Sequence, residues 1–176
     1  LTSPNGAFPI ASDQVALELQ NSTIGDPSFV NATGNGQSLW KQLSYAQLSN
    51  AYDRGVTLQP QFGNINTDNP DLSAFKNRGG KMLTWHGLAD ELIMAQGTVN
   101  YYNRVATKIG GLSDVQGFYR LYLVPGAGHG NPNGTSNPAA EVPYFTPTQF
   151  YDALTAWANF QGPFTLHGVA AAALGL

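Results

Sequence analysis

Hydrophobic and polar positions alternate most clearly in the second half of the chain. Residues Lys81 to Trp85, entered from Gly79-Gly80, read as a short buried strand. From Gly97 to Lys108 the apolar residues Val99, Tyr102, Val105, Ala106 and Ile109 recur near helical spacing, and Gly110-Gly111 close the segment as a C-terminal cap. Phe118 to Val124 is the strongest strand pattern, rich in aromatic residues and stopped by Pro125-Gly126. Thr148 to Phe160 forms a further helix with Phe150, Leu154, Trp157 and Ala158 on its inner face. Ahead of it, Thr146-Pro147 supplies an N-cap and a proline at the first helical position.

The first half is less regular. Ser44 to Arg54 reads as one short helix, with Leu43, Ala46, Leu48 and Ala51 as its apolar face and Gly55 as its stop. Gly25 to Gly36 is rich in Gly, Asn, Pro and Ser and reads as loop. No internal repeat is present. The pattern therefore changes near residue 60. It divides the chain into residues 1–60, an α/β region over 61–162, and a Gly/Ala tail over 163–176. Strand, helix, strand, long loop and helix in succession predict an α/β fold with parallel strands. In such sheets chemistry gathers at the carboxyl ends of the strands.

Composition narrows the function classes. The 176 residues are 42% hydrophobic, enough for a real core, but only 11% charged against roughly 25% in typical soluble domains. Asn, Gln, Ser and Thr supply the polarity, with 20 Gly and 11 Pro. A net charge of −3 and singly scattered basic residues give no basis for binding nucleic acid or an anionic membrane. No apolar run reaches the ~20 residues of a membrane-spanning helix. Cysteine is absent, which excludes disulfides and thiolate chemistry within the chain. Sequons begin at Asn21, Asn31 and Asn133 and matter only in a eukaryotic secretory pathway. The opening Leu1-Thr2-Ser3-Pro4 lacks an initiator Met and a signal-peptide pattern, as a processed or excised chain would.

Two polar constellations sit at predicted strand ends. In Trp85-His86-Gly87-Leu88-Ala89-Asp90 a strand runs out into a turn bearing a carboxylate. In Val124-Pro125-Gly126-Ala127-Gly128-His129-Gly130 the next strand runs into a glycine-dense loop bearing an imidazole. Neighbouring parallel strands would bring the two together. A histidine acting as general base needs a carboxylate to fix its tautomer and stabilise the imidazolium. Asp90 precedes His129 with one helix and one strand between, the order of the last two members of an α/β-hydrolase triad. The nucleophile is missing. None of the ten serines has glycine two residues away on both sides, so no nucleophile elbow lies within these residues.

Other chemistries fit less well. Asn66, Asp68, Asn69 and Asp71 offer oxygen ligands but lack the glycine and terminal glutamate of a calcium loop, so turn formation and capping explain them better. A zinc site from His86, Asp90 and His129 has suitable ligand types but no HxxxH or HxH spacing. Gly126-Ala127-Gly128 lacks the third glycine of a dinucleotide loop. His86, next to its strand, reads as a partner for nearby backbone, and His167 as an inert tail residue. Tyr101-Tyr102 and Phe118 to Tyr122 have the spacing of core packing.

From about Leu43 to Phe160 the chain resembles the tannase and feruloyl esterase family. The residues that carry the resemblance are Phe62-Gly63, Asp68 to Phe75, Gly79 to Asp90, Thr98, Tyr101-Tyr102, Phe118 to Leu121 with Pro125 to His129, and Leu154 to Trp157. The resemblance implies the carboxy-terminal part of an α/β-hydrolase fold, with the end of a lid domain over residues 1–60. It also implies a secreted or periplasmic serine esterase acting on esters of hydroxylated aromatic acids, with Asp90 orienting the base, His129 as the base, and no cofactor or metal. The partners implied are the aromatic ester and an upstream segment or chain that bears the serine. Many members flank the serine and the histidine with cysteines that form a disulfide beneath the triad. Gly130 stands where that cysteine would follow His129, so either the histidine is positioned by packing alone or the activity is weakened. The rival expectation is a non-catalytic fragment or ligand-binding relic of the same fold.

Overall fold

A computed structural model describes residues 2–3 and 6–159; the predicted tail, with His167, and Phe160 at the end of the predicted final helix lie outside the described residues. The chain divides into two compact units, residues 1–67 and 68–176.

The first unit opens with a hairpin of β1 (Thr2–Ser3) and β2 (Gly6–Ala7), followed by α1 (Pro9–Leu19). The sequence pattern does not mark α1, because Ile10, Ala11, Val15, Ala16, Leu17 and Leu19 lie all round the helix instead of forming one stripe. Its start follows the usual rule, with proline in the first turn. The expected loop over Gly25 to Gly36 contains a second hairpin, β3 (Val30–Asn31) with β4 (Gly34–Asn35), which pairs Val30 with Asn35. Gly34 adopts φ +125° at its turn, which an L side chain rarely accepts.

Helix α2 (Tyr45–Thr57) begins at a complete capping box. The Ser44 hydroxyl accepts the Gln47 amide at 3.2 Å, and the Gln47 side chain accepts the Ser44 amide at 2.9 Å. Gly55 does not stop this helix. It sits where α1 comes close, with the Glu18 carboxylate occupying the space a Cβ would take, and the helix runs on to Thr57. Arg54 also donates to the Glu18 carbonyl. Ala16, Ile24, Ala51 and Leu58 are the buried apolar residues of this unit.

The second unit carries the α/β alternation. After α3 (Ser73–Asn77) come β5 (Met82–Gly87), α4 (Ala95–Ile109), α5 (Leu112–Gln116), β6 (Tyr119–Val124) and α6 (Pro147–Asn159). β5 and β6 are parallel, as expected, with Met82 opposite Tyr119 and Gly87 opposite Val124. β5 extends two residues beyond the predicted Trp85, because His86 and Gly87 still find ladder partners in Leu123 and Val124.

Alternate residues of the two strands face two different cores. Tyr119, Met82 and Leu121 pack with Tyr102, Val105, Ala106, Val115 and Phe118. Leu83 and Tyr122 pack with Trp157, Phe150, Ala153 and Leu154 of α6. Helices thus cover both faces, which parallel pairing requires. The buried Tyr102 hydroxyl donates to the Tyr119 carbonyl at 3.2 Å, and burial pushes the phenol up to about 12, so it remains a donor. α4 closes on Gly110 at φ +118°, and Thr146 and Gln149 form a capping box for α6.

Candidate active site

Both strand ends run into turns that hydrogen-bond to each other. The Leu88 amide donates to the Val124 carbonyl and the Ala89 amide to the Ala127 carbonyl, each at 2.9 Å. Gly87 permits this approach: a Cβ there would lie 2.2 Å from the Ala127 carbonyl oxygen. Gly128 and Gly134 make a second close crossing, where a Cβ on Gly134 would meet the Gly128 Cα at 2.6 Å. Asparagines then lace the loop beyond His129. Asn131 Oδ1 accepts the Asn133 amide, and Asn133 Oδ1 accepts the amide and hydroxyl of Thr135. Trp85 meets Phe145 edge-on at 5.4 Å, and Phe145 stacks on Phe150 at 5.1 Å, tying the later loop to α6. With no cysteine present, these contacts hold the loop.

This frame brings Asp90 and His129 together. His129 Nδ1 lies 3.1 Å from Asp90 Oδ2. A carboxylate only accepts, so Nδ1 is the protonated nitrogen of the neutral ring and Nε2 keeps its lone pair. Among the described residues Nε2 has no hydrogen-bond partner, and the side chain is 48% exposed. Asp90 is the opposite case, with its side chain 8% exposed. Its Oδ1 accepts the amides of Leu92 at 2.9 Å and Ile93 at 2.8 Å. Burial raises the carboxyl's pKa and is the largest single influence on it. The amides of Ile93 and Leu92 and the His129 imidazole together outweigh burial and hold the group below its ordinary range. Asp90 is therefore a fixed anion, and His129 an exposed imidazole oriented by it. Leu88, Ile93 and Met94, all in the β5–α4 connection, are more than half exposed and leave an apolar surface flanking Asp90.

His86 is held more tightly than a loop histidine. Its Nε2 donates to the Ile93 carbonyl at 3.0 Å, as the backbone partnership expected from sequence, and its Nδ1 lies 2.8 Å from the Thr98 hydroxyl. Nε2 also lies 3.3 Å from Asp90 Oδ2. Sequence reasoning named Thr98 only as part of the family resemblance and missed its contact with His86, as it missed the two turn amides. The His86–Asp90 spacing was a usable signal for part of this, but the amides depend on the backbone path of the turn.

The other candidate residues are structural. Arg104 pairs with Asp68 at 3.1 Å and Lys108 with Asp71 at 3.5 Å, while Asn69 and Asp71 accept amides two residues on. The oxygen-rich segment thus ties the start of this unit to α4 and leads into α3. Among the described residues, no group of three His, Cys, Asp or Glu is arranged to hold a metal ion.

Comparison with known proteins gives this geometry a context. The sequence model of the family described as "Tannase and feruloyl esterase" matches residues 11–163. A probable feruloyl esterase of Arthroderma benhamiae is 43% identical over 88 residues, which are 49% of this chain and 16% of that protein. A mono(2-hydroxyethyl) terephthalate hydrolase of Piscinibacter sakaiensis is 39% identical over 106 residues, 57% of this chain and 16% of that protein. The chain therefore spans about a sixth of the length of these relatives. Among solved structures, a tannin acyl hydrolase from Aspergillus niger superposes with a TM-score of 0.62 at 23% identity. It covers 86% of this chain and 25% of its own, a likeness of fold.

Proposed function

The chain belongs to the tannase and feruloyl esterase family, and from that premise we propose that it is the carboxy-terminal part of a serine carboxylic-ester hydrolase. Asp90 and His129 are the second and third members of its triad, and the serine comes from an upstream segment. The observation that carries this reading is the 3.1 Å contact of the half-exposed His129, through Nδ1, with a buried, anionic Asp90, which leaves Nε2 without a hydrogen-bond partner among the described residues.

The chemistry follows from that arrangement. Nε2 takes the proton from the serine hydroxyl as its oxygen attacks the ester carbonyl carbon. Asp90 stabilises the imidazolium, which then protonates the departing alcohol as the ester C–O bond breaks. In the second half, His129 deprotonates a water that attacks the acyl-enzyme, and the proton returns to the serine oxygen as the acid leaves. Upstream backbone amides supply the oxyanion hole. No step needs a metal or cofactor. The names of the relatives, feruloyl esterase and mono(2-hydroxyethyl) terephthalate hydrolase, support esters of aromatic acids as substrates. The galloyl and hydroxycinnamoyl esters implied by the family fall in that class. Residues 1–60 are the end of the lid, and they contain an apolar cleft lined by Val15, Ile24, Trp40, Tyr45 and Leu48. An enzyme of this kind works outside the cytoplasm.

A fluorophosphonate probe tests the proposal on the complete protein. We expect it to label a serine outside the residues described here, and His129→Ala to reduce ester turnover by at least about 10³-fold. Absence of any labelled serine would remove the esterase reading. Labelling with turnover untouched in His129→Ala would remove the role of His129.

A further inference from the structure

We propose that His86 is a positioning residue that orients His129 by anchoring Asp90, an assignment that rests on His129 serving as the base. Its ring is 10% exposed and both nitrogens are engaged, so it is not a second base open to substrate. The Ile93 carbonyl can only accept, so Nε2 carries the proton, and the Thr98 hydroxyl donates to Nδ1. One ring therefore joins three pieces of backbone: the end of β5, the turn through Ile93, and the first turn of α4, which holds Thr98.

The effect on Asp90 is specific. Ile93 is gripped twice, its amide by Asp90 Oδ1 at 2.8 Å and its carbonyl by His86 Nε2 at 3.0 Å. The polarised Nε2–H edge also lies 3.3 Å from Oδ2, the oxygen that faces His129. Without His86, the carboxylate keeps its two amide donors on Oδ1 but can pivot about them, and Oδ2 swings. His129 would follow, because its exposed ring has Asp90 as its only hydrogen-bond partner among the described residues. Misplacing a base by a fraction of an ångström lowers kcat without weakening substrate binding.

The test combines ¹⁵N imidazole spectroscopy on this chain with kinetics of the complete protein, using His86→Phe, Thr98→Val and Thr98→Ser. In the unmodified protein we expect His86 protonated at Nε2 and His129 at Nδ1. His86→Phe should mix the His129 tautomers and lower kcat about ten-fold with KM nearly unchanged. That is well short of the ~10⁴-fold loss on disabling a triad carboxylate. Thr98→Val, which keeps the side-chain shape, should produce the same changes to a smaller degree, and Thr98→Ser should restore both readouts. If His86→Phe fails to fold, the Thr98 pair decides. The proposal is overturned if folded variants keep His129 at Nδ1 with kcat within about two-fold of the parent. It is also overturned if KM alone moves. An unmodified protein without ester turnover would instead count against the esterase reading, while the tautomer measurement would still decide whether His86 orders Asp90 and His129.

Discussion

At the scale of single residues, the environment of Asp90 determines how the molecule responds to acid. Its folded-state pKa lies below the ordinary carboxylate value because the Ile93 and Leu92 amides and His129 outweigh the effect of burial. A group depressed on folding contributes stability that is fully present above its unfolded pKa, about 3.9, and is lost as pH falls through the lower folded value. Chemical unfolding between neutral pH and pH 2 should therefore show a loss of stability in the acid range that is smaller in Asp90→Asn. Equal acid slopes in the two proteins would contradict this. The same variant should lower ester turnover by about 10⁴-fold with the fold retained, because an amide no longer selects the Nδ1–H tautomer of His129. The pair was legible in the sequence because each residue follows a strand and the strands were readable as neighbours. The donors to Oδ1 were not, since every residue has an amide and only the turn decides where it points.

At the scale of elements, legibility followed periodicity. Helices α4 and α6 carry one apolar stripe each and were readable, as were the two strands with their glycine and proline ends. The apolar residues of α1 are spread round the helix among polar ones, and α3 and α5 are five residues each, too short to establish a period. Gly55 shows the limit of reading glycine as punctuation, for there it answers a neighbouring helix instead of ending its own. Gly87 serves the site more directly. Replacing it with alanine would set a Cβ 2.2 Å from the Ala127 carbonyl oxygen, forcing apart the turns that hold Asp90 and His129. Gly87→Ala should destabilise the protein by about 1–3 kcal/mol, as overpacking does, and weaken the Asp90–His129 contact. An unchanged thermal midpoint would show that the turns do not meet this closely. Ser44→Ala, which removes the capping box of α2, should cost about 1 kcal/mol, read as a lowered thermal midpoint.

At the scale of the whole molecule, every contact among the described residues that orients His129 belongs to the second unit. Asp90 is held by Leu92, Ile93 and His86, His86 by Thr98, and the His129 loop by Gly87, Ala127, Asn131 and Gly134. The core beneath them is likewise drawn from Leu72 to Trp157. Residues 68–176 expressed alone should therefore fold and retain His129 protonated at Nδ1 beside Asp90, as ¹⁵N imidazole spectra would report. The same fragment should hydrolyse no ester, because none of its three serines, Ser73, Ser113 and Ser136, has the glycine pair of a nucleophile elbow. A collapsed or undispersed spectrum would mean that residues 1–67 are needed for the fold of this unit. Ester turnover by the fragment would place a nucleophile within it and overturn the division of the triad. An oriented dyad without turnover is what a base and its carboxylate should give when the serine they serve lies elsewhere.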